Sequence, residues 1–199
     1  MAASFTRPVI HNVKFHFKLK SIISEETLQN ISQSKSSRWG NYFTVRLSQH
    51  SKIVYSIFPA AKFVNITGVG TFECIPQVLA EFNSIFKTCV RNEDVTVDNS
   101  TAAGSFCQPG GIRLNLLCIK QFLDRAPSAF TSSRITLYPR FFPAAVLRTR
   151  YEPTVLLFAS GKYTIVGAKS PEQIQTSYRK LCVIIQSVMT TTPQAIAYA

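Results

Sequence analysis

Ten carboxylates, three histidines and five cysteines are the side chains with which this chain of 199 residues could do acid–base or covalent chemistry. A general acid–base pair needs two such groups held close together, and most of the acids stand singly along the sequence. His11, His16 and Cys107 are the residues that a catalytic or small-molecule pocket could draw on. Yet no nucleophile, base and orienting group recur at a recognisable spacing, and His11 and His16 fall on opposite faces of an extended segment. Cys74, Cys89, Cys107, Cys118 and Cys182 contain no Cys-x-x-Cys pair and are odd in number, which indicates neither a zinc site nor a complete disulfide framework. Reduced and mostly buried thiols are expected, with no metal and no cofactor. Gln108-Pro109-Gly110-Gly111 lacks the Lys-Ser/Thr pair and the following helix of a phosphate-binding loop, so it reads as a turn. The expectation is a protein that is not an enzyme.

What the composition supplies instead is positive charge. Lys and Arg number 22 against ten acids, a formal charge of +12, which favours a polyanionic partner. The charge is uneven: Met1 to Gly70 carries +7, Thr71 to Gly110 carries −3, and Gly111 to Ala199 carries +8. With 46% hydrophobic residues the chain can bury a core in one domain or two small halves. No window reaches the eighteen or so apolar residues of a membrane span, and Met1 to Pro8 has no hydrophobic signal core, so a soluble, intracellular protein is expected. The glycosylation patterns at Asn30, Asn65 and Asn99 are read on that ground as chance matches.

Two basic halves around an acidic middle suggest a duplicated unit, and the sequence repeats itself in two places. Ser56 to Gly70 reads like Leu156 to Lys169: β-branched and aromatic residues flank a short corner, the composition of a β-hairpin. Each hairpin is followed by an amphipathic helix with Pro near its start. Pro76 to Val90 aligns Val78, Leu79, Phe82, Ile85, Phe86 and Cys89 on one face, and Pro171 to Val188 aligns Ile174, Tyr178, Leu181, Cys182, Ile185 and Val188. Upstream, Val9 to Val13 and Val95 to Asn99 give matching first strands, each ending near an Asn. The repeated unit is strand, short helix, several antiparallel strands, long helix, with boundaries at 1–91 and 92–199 and a short tail over 189–199.

These residues resemble a known family. Phe142-Pro143-Ala144-Ala145-Val146-Leu147-Arg148, Glu152-Pro153, Val155 to Phe158, Ser160-Gly161-Lys162 and Val166-Gly167-Ala168-Lys169 closely resemble the second repeat of the TATA-box-binding protein core. Ile112-Arg113-Leu114, Arg38-Trp39 and Val45-Arg46-Leu47 stand in the family's order, so the resemblance runs over roughly Pro8 to Val188, strongest in the second half. It implies an α+β fold of two tandem pseudo-symmetric repeats forming a saddle, with one curved antiparallel sheet against DNA and helices on the convex side. It also implies a nuclear initiation factor of the RNA polymerase II preinitiation complex, which binds and bends A·T-rich promoter DNA. The minor groove shows mainly acceptors at A·T pairs, so a reader can use apolar contacts, a few donors and wedges that unstack bases, with basic residues for the phosphates.

Carried over by that resemblance, the wedge positions are Trp39 and Phe58 in the first repeat and Phe142 and Phe158 in the second. The central donors are Asn12 and Asn99. Other groove contacts are Thr67, its counterpart Val166, and Thr164. The phosphate contacts are Arg38, Arg46 and Lys62 in the first half, and Arg148, Lys162 and Lys169 in the second. Read without the family, a strand Phe is ordinarily core, an Asn at a strand end a turn former, and a single Lys or Arg a solvated charge. Recurrence at equivalent places in two repeats favours the functional reading.

The chain also departs from the family. Trp39 stands for a Phe, Val166 removes a donor, and Val69-Gly70 stands where the family has Ala-Lys. Tyr138-Pro139-Arg140-Phe141 puts a positive charge where the family offers acids to transcription factor IIB, and the helix from Pro76 has Lys87 as its single base where the family's is richly basic. The partners implied are double-stranded DNA, a factor IIB-like protein, other initiation factors and RNA polymerase, with no membrane. The alternative is a scaffold that keeps the fold, has lost TATA specificity and works through protein contacts.

Overall fold

In the segment Val9–Lys18, Val13, Phe15 and Phe17 are buried while Asn12, Lys14 and His16 between them are not. That alternation is a strand with one face on a core. The computed structural model describes residues 4–29, 34–39, 41–47, 52–107, 113–125, 133–149, 152–191 and 196–197. The side chains of Ser4, Glu25, Gln29, residues 34–39, Leu47, Cys107, Ser133 and residues 196–197 fall outside that description.

Along the chain the elements are β1 (Ser4–Phe5), β2 (Val9–Lys18), α1 (Glu25–Gln29), β3 (Ser34–Trp39), β4 (Tyr42–Leu47), β5 (Val54–Phe58), β6 (Phe63–Val69) and α2 (Ile75–Phe86). Then follow β7 (Thr96–Cys107), β8 (Arg113–Leu114), α3 (Leu116–Arg125), β9 (Ser133–Leu137), β10 (Ala144–Thr149), β11 (Thr154–Phe158), β12 (Lys162–Ala168), α4 (Pro171–Thr191) and β13 (Ile196–Ala197). The expected hairpins are β5–β6 and β11–β12, and the expected long helices are α2 and α4. Two compact units form: Ile10–Ser100, and Met1–Val9 with Thr101–Ala199. Their boundary falls inside β7.

In the Ile10–Ser100 unit the antiparallel order is β3-β4-β5-β6-β2. α2 covers one face, where Phe82 is fully buried with ring neighbours Phe17 at 5.1 Å, Phe86 at 4.6 Å and Tyr55 at 5.9 Å. In the other unit the order is β7-β12-β11-β10-β9, with β1 on the far end of β7. α4 buries Ile174, Leu181, Ile184, Ile185 and Val188, and α3 packs beside it with Ile119 and Leu123. Thr6 donates its N–H to Ser105 O at 3.0 Å, and the Tyr163 hydroxyl donates to Thr6 O at 2.8 Å.

Three expectations are corrected. α2 stops at Phe86 rather than Val90, because Lys87 turns left-handed (φ 52°) and the Asn83 side chain takes the next groups, binding Thr88 Oγ1, Val90 N and Val90 O. The first strands continue past Asn12 and Asn99 to Lys18 and Cys107. Cys74, Cys118 and Cys182 are half-buried and Cys89 is exposed, so burial of the thiols is incomplete; the Cys107 side chain is outside the described residues.

Phe82→Ala should cost about 3–5 kcal/mol, read as a lower urea midpoint. A second expectation concerns alkali. Burial, and then Glu81, push the Tyr55 phenol well above its ordinary range, and burial does the same for Tyr163. An unfolded chain loses these protons near pH 10 while the fold retains them. Their contribution is complete below that pH and is lost as pH rises above it. Urea melts at about pH 9 and about pH 11 should show the stability falling, and falling less in Tyr55→Phe.

Candidate nucleic-acid interface

In each unit the sheet leaves a second face that no helix covers among the described residues. In the Ile10–Ser100 unit this face presents Tyr42, Thr44 and Arg46 from β4, Val54, Ser56 and Phe58 from β5, Phe63, Asn65 and Thr67 from β6, and Asn12, Lys14 and His16 from β2. The other unit presents Arg134 and Thr136 from β9, Val146 and Arg148 from β10, Thr154, Leu156 and Phe158 from β11, and Lys162, Thr164 and Val166 from β12. A row of paired residues in the first, Thr44–Ser56–Asn65–His16, has Val146–Leu156–Thr164 as the counterparts of its first three members in the second.

The hairpin ends carry the aromatic candidates. Phe142, 39% exposed, lies 6.4 Å from the half-buried Phe158. Phe58 stacks on Tyr42 at 4.9 Å and meets Phe63 edge-on at 5.9 Å. Trp39 is paired with Tyr42 in the β3–β4 register, but the side chains of Trp39 and Arg38 lie outside the described residues. Sequence reasoning missed Tyr42 and Phe63, whose signal is an aromatic at the same strand parity as Phe58.

Asn12 has a defined orientation. Its Oδ1 accepts the Gly68 N–H at 2.8 Å, which leaves its amide N–H groups as the donors it can offer. Asn99 is half-buried in β7. Thr67 is paired with Val54, Val166 with Thr154, and Thr164 with Leu156, all half-buried on the helix-free faces.

Among the cations, Arg46, Arg148, Lys62, Lys162 and Lys169 are exposed. Arg148 stands directly opposite Arg134, and Arg46 opposite Lys35, at corresponding places in the two units. Like charges facing each other across strands are destabilising on their own, so the exposed Arg134 and Arg148 make a natural seat for an anion. Arg134 was missed because nothing in its neighbourhood marks the register. Lys62 is placed differently from Lys162: it takes the left-handed turn position (φ 50°) that Gly161 fills in the other unit (φ 79°). A Cβ on Gly161 would stand 2.8 Å from Phe106 O. The first corner is one residue longer, and Phe63 opens β6 where Lys162 opens β12.

One polar cluster was also missed. His16 Nδ1 lies 2.7 Å from Asp98 Oδ1, and Lys14 Nζ 3.8 Å from Asp98 Oδ2. Among the described residues no three His, Cys, Asp or Glu gather as for a metal ion.

Comparison with known proteins agrees with this geometry. The sequence family described as transcription factor TFIID, or TATA-binding protein, matches residues 94–188. The structure is similar to the TATA-binding protein of Methanococcus jannaschii, with TM-score 0.67 and 23% identity, covering 92% of this chain and 99% of that one. No curated protein matches the sequence. A duplicated α+β fold with helices on one face of each unit is the fold of the TATA-binding protein. The family match covers the second half of the chain, and the structural likeness extends the same fold over both halves.

Asn12→Asp keeps the acceptor for Gly68 N–H but replaces the outward donors by a carboxylate. It should fold with an unchanged melting temperature and bind duplex DNA about tenfold or more weakly, measured by fluorescence anisotropy.

Proposed function

We propose that the chain binds A·T-rich promoter duplexes through the minor groove, bends them, and gives initiation factors and RNA polymerase a platform in the nucleus. The observation that carries this reading is the duplication of one layout: aromatic rings at the hairpin ends and an exposed arginine, Arg46 or Arg148, at the corresponding place of the next strand, both on a helix-free face. Phe58 and Trp39 are the wedges of the Ile10–Ser100 unit, Phe142 and Phe158 those of the other. Asn12 and Asn99 donate to groove acceptors, and Thr67, Thr164 and Val166 line the floor. Arg38, Arg46, Arg148, Lys162 and Lys169 meet phosphates, with Arg134 added and Lys62 serving from the corner.

The turn before Phe142 is the contact for a factor IIB-like partner. It projects Phe141, 89% exposed, and Tyr138, 63% exposed, around Arg140, and is closed by a Phe141 N–H bond to Tyr138 O. Its positive charge suits a partner more acidic than the family's ordinary one. The second reading, a scaffold without TATA specificity, is favoured by the polar row through Ser56, Asn65 and His16, which is less suited to an apolar groove floor than Val146 and Leu156 are.

Energy transfer across end-labelled duplexes over a salt series tests the two. Bending of an A·T-rich duplex, lost in Phe142→Ala/Phe158→Ala with about tenfold or more weaker binding, is the expected outcome. Binding without bending, or with equal affinity for a G·C-rich duplex, selects the scaffold.

A further inference from the structure

We propose that the helix-free face of the Ile10–Ser100 unit reads a guanine in the minor groove: His16 Nε2 accepts a hydrogen bond from the guanine 2-amino group, and Asp98 holds the ring in the tautomer that allows it. This rests on the minor-groove reading above and names the base recognised there.

The two units differ most at this point. Counting from the paired Asn12 and Asn99, Lys14 and His16 have Thr101 and Ala103 as their counterparts. Across the strands, Ser56 and Asn65 stand where the other unit has Leu156 and Thr164. One floor is therefore apolar with hydroxyls, and the other carries an imidazole, an amide and a carboxylate. A charged pair on a surface meant only for A·T contacts would be desolvated without return.

The geometry fixes what the imidazole offers. Asp98 accepts from Nδ1 at 2.7 Å, so in the neutral ring the proton sits on Nδ1 and Nε2 carries the lone pair. Lys14 lies 3.8 Å from the second carboxylate oxygen, so a fixed ammonium already balances the acid. Phe63, centroid 4.9 Å away, holds the ring from the side. His16 and Asp98 side chains remain 26% and 29% exposed, and Nε2 has no partner among the described residues. Asn65, directly opposite His16 in the β2–β6 register, has its Oδ1 buried with no hydrogen-bond partner among the described residues, so the acceptor this face presents is the imidazole. In the minor groove A·T pairs display acceptors alone, and the guanine 2-amino group is the one donor a G·C pair adds. An imidazole acceptor on the floor complements that donor, while the apolar floor of the other unit is obstructed by it. The guanine falls in one half of the site, which gives a pseudo-symmetric reader a direction on DNA.

The test is anisotropy with the full chain at one fixed alkaline pH. An A·T-rich duplex receives one G·C pair, moved a step at a time, and each duplex is repeated with inosine for guanine, which removes the 2-amino group and nothing else. At one or two adjacent positions in a single half, the guanine duplex should bind about fivefold more tightly than its inosine twin. Asp98→Asn should shrink that ratio and His16→Ala should bring it to one, with melting temperatures confirming both folds. Inosine duplexes binding as well as or better than guanine duplexes at every position overturn the proposal while leaving minor-groove binding intact. Failure to bind any duplex overturns both.

Discussion

Each long helix covers one face of one sheet, and the chemistry of the protein lies on the face left over. α2 takes Val13, Phe15, Phe17, Tyr55, Ile57, Val64 and Ile66 into a core with Phe82 at its centre. Because side chains alternate along a strand, burying those residues sends Asn12, Lys14, His16, Ser56, Phe58, Asn65 and Thr67 to the opposite side. A slip of one residue in any strand would exchange the two sets. The core therefore sets which residues a nucleic acid can meet, and the apolar packing is the source of the precision with which the polar groups are presented.

The two units have diverged around that constraint in different ways. The Thr101–Ala199 face keeps Val146, Leu156, Thr164 and Val166, and it lies within the span that the TATA-binding-protein family matches. The Ile10–Ser100 face substitutes Ser56, Asn65 and His16 and adds a ring, Phe63, where the other has Lys162. The cores stay aliphatic and aromatic in both. The two units thus differ on their helix-free faces, over cores of the same kind.

Much of the fold was legible in the sequence. The hairpins announced themselves by β-branched runs around short corners, and the long helices by their apolar faces and leading prolines, since strand and helix periods are local properties of the chain. What was hidden depends on register and on distance. The His16–Asp98 contact joins residues 82 positions apart, and the facing of Arg134 and Arg148 needs the β9–β10 pairing. Lys62 aligns by eye with Lys162, but the longer first corner moves it to the position of Gly161. Only backbone torsions reveal that. The end of α2 was missed because Asn83, inside the helix, caps it through side-chain bonds that no apolar pattern records.

The place of the first nine residues separates the repeat of the sequence from the unit of the structure. Ser4 and Phe5 pair with Cys107 and Phe106, the Phe5 and Phe106 rings meet edge to face at 4.9 Å, and Tyr163 bonds the backbone of Thr6. The second unit is thus discontinuous, and the chain passes between units twice. A fragment cut at the sequence boundary near residue 92 would carry Tyr163 without its acceptor and Phe106 without its ring partner. The protein cannot be halved, or its repeats exchanged with those of a relative, by a single cut; a module that can be transplanted needs both crossings severed, at Val9 and within β7. For an architecture born of tandem duplication, this makes the two copies interdependent at the level of the covalent chain.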